Sequence, residues 1–219
     1  KGKKVAISGF GNVSWGTASK LEELGAIPIT ISGPDGYILD EEGVLGEKID
    51  YLLELRASGK NICKPYADKF KSAKFIEGKK PWEVKADMYI PCATQNEILI
   101  DDAKAIVASG AKYVCEGSNM SSSNEAIEYM LNNGIILGPS KAANAGGVAC
   151  SCIEMGQNSG KTVFKPEQVH AQLKDIMVNI HDAAKNAAEE YGYGYNLVAG
   201  ANIAGFLKVA DSMIAQGCV

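Results

Sequence analysis

The sequence predicts an α/β fold with a Rossmann-like, doubly wound and mostly parallel sheet that is followed by C-terminal helices. Two observations favour this class. Short apolar runs alternate with helix-length segments across about residues 4–140, a pattern typical of parallel sheets with crossover helices. After that region only helix-length segments follow. We therefore expect residues 1–160 to form the sheet domain and residues 161–219 to form helices that pack on it.

The bulk composition is that of a globular protein. The 219 residues are 46% hydrophobic and 22% charged, which is enough for a full core. A net charge of −4 argues against nucleic acid or an anionic membrane as a partner. We expect no membrane span, because no run approaches about 20 apolar residues. Lys1 leads directly into a strand without an initiator Met or a signal peptide, so we expect a longer protein.

The first predicted strand leads into a glycine-rich turn. The apolar run Val5–Ile7 is followed by Gly9, Gly11 and Ser14 in a G-x-G-x-x-S arrangement, with a predicted helix over Asn12–Leu24. In such a turn the second glycine lets a ligand touch the backbone, and the helix N-terminus attracts a pyrophosphate. The segment therefore predicts a dinucleotide site. The alternative is a glycine-rich turn that merely fits the backbone.

The remaining elements follow from periodicity and from turn residues. We predict a second strand over 27–31, a small hairpin around 37–39 and strands over 73–76, 88–90, 112–115 and 135–137. We predict helices over 46–58, 66–71, 101–109, 124–131, 142–158, 166–191 and 197–216.

Polar loops follow the predicted strands. They are "GFGN", "SGPD", "PCATQN", "EGSN" and "PSKAANAGG". Because ligands of parallel sheets bind beyond the carboxyl ends of the strands, these loops are expected to converge on one crevice. Each loop alone is compatible with ordinary turn chemistry.

The six cysteines show neither a disulfide framework nor metal-site spacing. We expect reduced and mostly buried thiols at Cys63, Cys92, Cys115, Cys150, Cys152 and Cys218. Both histidines, His170 and His181, fall in one amphipathic helix and are interpreted as ordinary helix residues. No metal site is predicted.

The loops together resemble those of a known family. "SGFGNVSWG", "SGPDGYI", "PCATQNEI", "EGSNM", "PSKAANAGGV", "EMGQNS" and "YNLVAGANIAGF" are similar, in the same order, to the cofactor domain of bacterial hexameric glutamate dehydrogenases. The resemblance implies oxidative deamination of L-glutamate to 2-oxoglutarate and ammonia, with hydride transfer to NAD or NADP. It also implies that the catalytic lysines and aspartate belong to an amino-terminal domain. We find no match to that lysine segment, so no catalytic residue is expected in this chain, and we expect cofactor binding without turnover.

The resemblance also implies roles for individual residues. Those that match cofactor contacts are Phe10, Gly11, Asn12 and Val13 at the pyrophosphate turn, together with Gly9, then Ala93, Thr94, Gln95 and Asn119 beside the nicotinamide ribose, and Asn144 at the carboxamide. Ser151 matches a serine that binds the distal carboxylate of glutamate. The alternatives stay open: Thr94 as a helix cap, the two asparagines as turn residues, and Ser151 bonding back to a helical carbonyl.

The cofactor preference is expected to depend on the end of the second strand. The position where an acid that reads the ribose is expected is Ser32 or Gly33, with Asp35 slightly later, and the segment Thr30–Asp40 contains no Arg or Lys. Phe10 and Pro34 also resemble the NAD-preferring members of the family more than the NADP ones. A carboxylate there repels a 2′-phosphate, so we expect NAD, with NADP possible.

Two other functions compete with this interpretation. One is the cofactor domain of a leucine, valine or phenylalanine dehydrogenase, against which the hydroxyl of Ser151 argues. The other is a non-catalytic nucleotide-binding module. For the whole protein the resemblance implies a cytoplasmic homo-oligomer with small-molecule substrates.

Overall fold

The computed structural model describes residues 1–217, so the thiol expected at Cys218 lies outside the described residues. Its strands are β1 (Lys4–Ile7), β2 (Ile27–Pro28), β3 (Thr30–Gly33), β4 (Gly36–Asp40), β5 (Ala73–Glu77), β6 (Met88–Ile90), β7 (Tyr113–Cys115) and β8 (Ile136–Gly138). Its α-helices are α1 (Asn12–Glu23), α2 (Glu47–Ala57), α3 (Lys64–Lys69), α4 (Ile100–Ala108), α5 (Asn124–Asn132), α6 (Ser140–Ala143), α7 (Ala145–Ser159), α8 (Pro166–Glu190) and α9 (Leu197–Gln216). The chain forms two compact units that divide between residues 136 and 137. The predicted domain boundary after residue 160 stays a prediction.

The main sheet has five strands in the order β2-β1-β6-β7-β8. β1 pairs in parallel with both β2 and β6, and β6 pairs in parallel with β7. The chain leaves β1 toward one side and returns to its other side, so the topological switch point lies between β1 and β6. The predicted α/β class is confirmed, and the carboxyl ends of these two strands define the edge where a ligand is expected.

The predicted second strand over 27–31 is wrong in one respect, because the structure divides it between two sheets. Ile29 donates its N–H to the Val5 carbonyl, 2.9 Å away, but its own carbonyl accepts from the N–H of Asp40 at 2.8 Å. Pro28 has no N–H to continue the parallel ladder. From Thr30 onward the chain belongs to a three-stranded antiparallel sheet in the order β3-β4-β5. The predicted hairpin around residues 37–39 is confirmed within it.

A buried carboxylate fastens the small sheet to the neighbouring helices. Asp40 is fully buried and accepts from Lys48 Nζ at 2.7 Å, Tyr66 Oη at 2.8 Å and Ser72 Oγ at 3.0 Å. Burial, with the Asp40 carboxylate as the next largest influence, raises the pKa of the Tyr66 phenol. The charge of Asp40 is thereby compensated by one ammonium and two hydroxyls, as a buried ion requires.

The cysteines described by the structure are unpaired thiols, as predicted. Cys63 and Cys92 are buried and Cys152 is exposed, so the expectation of burial is wrong for Cys152. That residue lies on α7 between Val148 and Met155, whose apolar side chains are also exposed.

The second unit is helical, as predicted, with two corrections. The predicted helix over 142–158 is interrupted at Asn144, which ends α6 and precedes α7. Gly200 of α9 packs directly on α8, where an added Cβ would lie 1.8 Å from the Ala184 carbonyl oxygen. The second correction concerns the expectation that no segment could span a membrane. The helix α9 has 20 residues and a mean hydropathy of 1.4, which are sufficient for a membrane span by length and composition alone. One such helix is weak support for a membrane protein, and the packing of Gly200 on α8 gives it a place in a helical unit.

Candidate functional site

The loops of the first unit meet at the carboxyl edge of the parallel sheet. There a cavity of about 610 Å³ lies over the ends of β1 and β6. Its lining comes from the glycine turn, the β3–β4 turn, the end of α2, the segment after β5 and the loop after β6: Gly9, Phe10, Gly11, Ser32, Gly33, Pro34, Gly36, Arg56, Asn61, Gly78, Lys79, Lys80, Cys92, Ala93, Thr94 and Glu97. The sequence prediction that "GFGN", "SGPD" and "PCATQN" share one crevice agrees with this lining.

A larger cavity, of about 1080 Å³, lies at the opposite edge, where β1, β6 and β7 begin. Two of the lysines there are already paired. Lys3 contacts Asp87 at 2.8 Å and Lys4 contacts Glu41 at 3.0 Å. Since parallel sheets bind ligands at their carboxyl ends, we assign the smaller cavity as the candidate site.

Glycine is found at the two positions of the turn for different structural reasons. Gly9 adopts φ +94° and its N–H donates to Ser32 Oγ at 2.8 Å. An added Cβ on Gly9 would lie 2.6 Å from the Cys92 carbonyl oxygen, whereas one on Gly11 would meet nothing within 4 Å. Gly11 has extended backbone that any residue adopts. The space above Gly11 is therefore open to a ligand, while Gly9 is required by the fold itself.

Ser14 occupies the third position of the glycine turn, where glycine or alanine is usual, and the structure gives a reason for the serine. It is fully buried, and its hydroxyl lies 3.0 Å from both the N–H and the carbonyl of Gly11. It accepts from the first and donates to the second, so it stabilises the turn at the N-terminus of α1. The N–H groups of a first helical turn have no partners within the helix and suit a phosphate.

Phe10 and Arg56 form one wall of the cavity. Phe10 is buried and packs edge-on against Trp15 with ring centroids 4.8 Å apart. Arg56 Nη1 donates to the Phe10 carbonyl at 2.8 Å and to Asn61 Oδ1 at 2.5 Å. Sequence reasoning missed Arg56, since nothing local in α2 marks it as facing the glycine turn. A cation is thus present in the cavity although Thr30–Asp40 contains none.

The predicted residues at the end of the small sheet have distinct positions. Ser32 supports the glycine turn from below, and Pro34 is exposed at the cavity. Asp35 directs both carboxylate oxygens at the N-terminus of α3: Oδ1 and Oδ2 each lie 2.9 Å from the Cys63 N, and Oδ2 lies 3.0 Å from the Lys64 N. The role of Asp35 in reading a ribose stays a prediction.

The loops after β6 and β7 are joined by backbone hydrogen bonds. The Pro91 carbonyl accepts from Gly117 N at 3.0 Å and from Ser118 N at 2.9 Å, and Asn96 N donates to the Met120 carbonyl at 2.9 Å. Ala93, Thr94, Gln95 and Asn119 are all exposed. The structure therefore brings "PCATQN" and "EGSN" together, with the predicted ribose-contacting side chains on their outer surface.

A buried glutamate lies beneath these loops, and sequence reasoning missed it. Glu97 is 3% exposed, and its Oε1 accepts from the Ala93 N–H at 2.9 Å. Burial raises its pKa, against the opposing effect of hydrogen bonds from neighbouring hydroxyl and N–H groups. Its place in a T-Q-N-E sequence after a strand was the available signal, but a glutamate there is also compatible with an exposed loop.

The predicted residues of the second unit lie on or between its helices. Asn144 lies between α6 and α7. Ser151 is exposed, and its hydroxyl lies 3.3 Å from the Gly147 carbonyl, which is the alternative in which it bonds back to its own helix. Lys141 hydrogen-bonds Asn202. That "PSKAANAGG" joins the other loops in one crevice stays a prediction.

The lining of this site offers backbone N–H groups and the side-chain cations of Arg56, Lys79 and Lys80, which suit an anionic ligand. Among residues 1–217, no cluster of His, Cys, Asp and Glu is suited to a metal ion. Burial raises the pKa of the Cys92 thiol to about 12, so it is not a nucleophile at neutral pH. A dinucleotide suits the open backbone at Gly11, the helix N-terminus beside it and the cavity of about 610 Å³.

Comparison with known proteins agrees with this geometry. The model of the glutamate/leucine/phenylalanine/valine dehydrogenase family matches residues 1–217. The chain is 54% identical, over 99% of its length and 48% of the relative's, to an NAD-specific glutamate dehydrogenase of Clostridium symbiosum. It is 46% identical, over 100% of its length and 49% of the relative's, to an NADP-specific glutamate dehydrogenase of Giardia intestinalis. A solved glutamate dehydrogenase superimposes with a TM-score of 0.96 at 53% identity, covering 100% of this chain and 49% of that one. The chain thus spans about half the length of these relatives.

Proposed function

Because the chain belongs to the glutamate/leucine/phenylalanine/valine dehydrogenase family, we propose that it is the NAD(P)-binding part of a glutamate dehydrogenase. The observation that carries the proposal is the open space at Gly11, at the N-terminus of α1 and at the mouth of a cavity of about 610 Å³. A pyrophosphate at that point accepts hydrogen bonds from the free backbone N–H groups and is stabilised by the positive end of the helix dipole.

The reaction proposed for the whole protein is oxidative deamination of L-glutamate to 2-oxoglutarate and ammonia. A bound nicotinamide would accept the hydride from the substrate. The residues of this chain hold the cofactor and orient it: the glycine turn takes the pyrophosphate, and Ala93, Thr94, Gln95 and Asn119 border the ribose. Asn144 fixes the carboxamide, which determines the ring face presented to the substrate. Such orientation contributes to rate by holding reactants in near-attack geometry.

No residue of this chain is proposed as the general acid or base. The chain spans about half the length of the curated relatives that it matches, and the family resemblance assigns the catalytic lysines and aspartate to the other half. We accordingly propose that residues 1–219 alone bind cofactor without turnover.

Glutamate is favoured over leucine, valine or phenylalanine as the substrate. Relatives at 54% and 46% identity are both described as glutamate dehydrogenases, and a hydroxyl at Ser151 suits a distal carboxylate better than an apolar side chain. Its hydrogen bond to Gly147 is compatible with this role, because a serine that bonds back to its helix is readily redirected. A non-catalytic nucleotide-binding module has no observation in its favour.

We propose NAD as the preferred cofactor, with NADP accepted less well. The 54% identity to an NAD-specific relative and the absence of Arg and Lys from Thr30–Asp40 support this preference. Arg56, Lys79 and Lys80 line the same cavity and weaken the discrimination. The whole protein is proposed to be a cytoplasmic homo-oligomer, in keeping with the family resemblance.

The test is a fluorescence titration of the chain with NADH and then with NADPH. Tighter binding of NADH than of NADPH is expected. Equal affinities would contradict the NAD preference and leave the cofactor role intact. Binding of neither nucleotide would contradict the proposed function.

A further inference from the structure

We propose that Glu97 is a positioning residue of the cofactor site, whose carboxylate holds the loops beside the nicotinamide ribose in their binding conformation. The inference rests on the proposed function and adds to it a residue that does not itself match a known cofactor contact. Its basis is geometric: one buried side chain lies within hydrogen-bond distance of the loops that follow β6 and β7.

The hydrogen-bond donors come from the loops after β6 and β7. The Ala93 N–H lies 2.9 Å and the Ser118 hydroxyl 3.3 Å from Oε1. Ser8, which follows β1, and the N–H of Thr94 also act to lower the pKa of this carboxylate, against the larger effect of burial. Ser8 Oγ in turn accepts from Cys92 N at 2.9 Å. Glu97 therefore lies between the switch-point strands and the loop that carries Ala93 and Thr94.

The backbone of Glu97 is fixed from the other side. Its carbonyl oxygen accepts from Lys80 Nζ at 2.7 Å and from Trp82 Nε1 at 3.3 Å. Trp82 is 1% exposed, so this end belongs to the core. The residue thus connects a rigid base to loops whose outer side chains are exposed at the cavity.

The donor inventory requires a carboxylate rather than an amide. An ionised carboxylate has two oxygens and about four acceptor sites, while a glutamine side chain has one oxygen and an NH₂ group that is only a donor. The Ala93 N–H and the Ser118 hydroxyl are both directed at Oε1, and Ser8 and the Thr94 N–H also favour the ionised group. An amide has one oxygen to offer these donors, and its NH₂ group would face the others. Buried donors left unpaired are costly, so the loop would move to find other partners.

Few charges face this carboxylate. Lys80 is a nearby cation and reaches the backbone oxygen, and the Glu97 carboxylate adds to the effect of burial in raising the pKa of the Cys92 thiol. Protonation of the Glu97 carboxylate removes hydrogen-bond acceptor sites, as replacement of Glu97 by glutamine does. NADH affinity is therefore expected to fall on acidification, beginning above the ordinary glutamate value of 4.5 because burial raises this pKa.

The experiment compares Glu97→Gln with wild type and with Glu128→Gln, an exposed glutamate on α5 that serves as the matched control. NADH affinity is measured by fluorescence, and backbone hydrogen exchange is followed at residues 93–97. We expect Glu97→Gln to weaken NADH binding by about tenfold or more and to accelerate exchange at Ala93 and Thr94, with Glu128→Gln unchanged. Affinity within about twofold of wild type, with unchanged exchange, would overturn the inference.

A second measurement covers the case in which Glu97→Gln does not fold. Wild-type NADH affinity is followed from about pH 8 to about pH 4, with circular dichroism to show that the fold persists. A loss of affinity on acidification is expected, and constant affinity over this range would overturn the inference. If wild type binds no NADH at any pH, the proposed function fails instead. Where Glu97→Gln folds, its exchange at residues 93–97 relative to wild type then still decides whether Glu97 holds the loop.

Discussion

Gly9 and Cys92 are in such close backbone contact that a Cβ on Gly9 would lie 2.6 Å from the Cys92 carbonyl oxygen. This contact joins the turn after β1 to the loop after β6, on either side of the topological switch point. The position also requires φ +94°, a conformation that L side chains rarely adopt. The glycine turn is therefore fixed by the protein before any ligand arrives.

Gly9→Ala is expected to destabilise the fold. A methyl group must displace the backbone of Cys92 or force φ out of its present range, at a cost of about 2 kcal/mol or more. Urea unfolding followed by circular dichroism measures this loss. An unfolding free energy equal to that of wild type would contradict the contact described here.

Gly11→Ala is the matched test of ligand approach. Its Cβ meets nothing within 4 Å and its backbone is extended, so the unfolding free energy should change by about 0.5 kcal/mol at most. NADH affinity should fall by about tenfold or more, since the methyl group occupies the space proposed for the pyrophosphate. Unaltered NADH affinity in a folded Gly11→Ala chain would mean that the ligand does not approach this turn.

Pro34→Ser together with Asp35→Ser is expected to relax discrimination against NADPH. The double substitution removes an acidic group beside a cavity that already contains Arg56, Lys79 and Lys80. Since Asp35 caps the N-terminus of α3, the variant should also lose about 1 kcal/mol of stability. The readout is the ratio of NADPH to NADH affinity, with Asp68→Ser, an exposed acid on the same helix, as the control. A ratio that does not change would count against the prediction.

Gly200→Ala should weaken the packing of α9 on α8. An added Cβ would lie 1.8 Å from the Ala184 carbonyl oxygen, whereas one on Gly205 of the same helix would meet nothing within 4 Å. The cost should be about 1–3 kcal/mol for Gly200→Ala, while Gly205→Ala should be neutral or stabilising through helix propensity. Thermal unfolding of both variants tests the difference, and equal melting temperatures would contradict it.

The pH dependence of stability provides a test of Glu97 that needs no cofactor. Burial is the largest influence on its pKa and raises it. The folded state therefore holds this proton more tightly than the unfolded state, so the contribution to the free energy of unfolding is greatest below the unfolded pKa. It is lost as pH rises through the folded pKa. The stability of wild type relative to Glu97→Gln should thus decline from acidic to neutral pH. A relative stability that rises instead would reverse the assigned direction.

Much of the fold was predictable because its signals are local. Met88–Ile90 and Leu197–Gln216 are apolar segments bounded by turn or cap residues, and the structure has both at the predicted bounds. The division at Ile29 was not predictable in this way, because it depends on the carbonyl accepting from Asp40 in another strand. Asn144 likewise interrupts a segment whose composition alone favours one continuous helix.

The residues of the candidate site likewise fall into those that local sequence signals predict and those that depend on distant contacts. Gly9, Gly11 and Ser14 were recognisable because strand, turn and helix are contiguous in sequence. Arg56 and Glu97 reach the site through contacts with residues far away in the chain, such as Phe10 and Ser8. No periodicity reports such contacts, and the same residue types occur in solvated loops and helix ends.

The most direct measurement is a crystal structure of the chain with NADH. The account predicts the pyrophosphate over Gly11, with phosphate oxygens about 3 Å from the backbone N–H groups of Asn12 and Val13, and the nicotinamide ribose beside Ala93 and Thr94. NADH bound instead at the opposite edge, in the cavity lined by Lys4 and Met88, or a pyrophosphate away from the N-terminus of α1, would contradict the account.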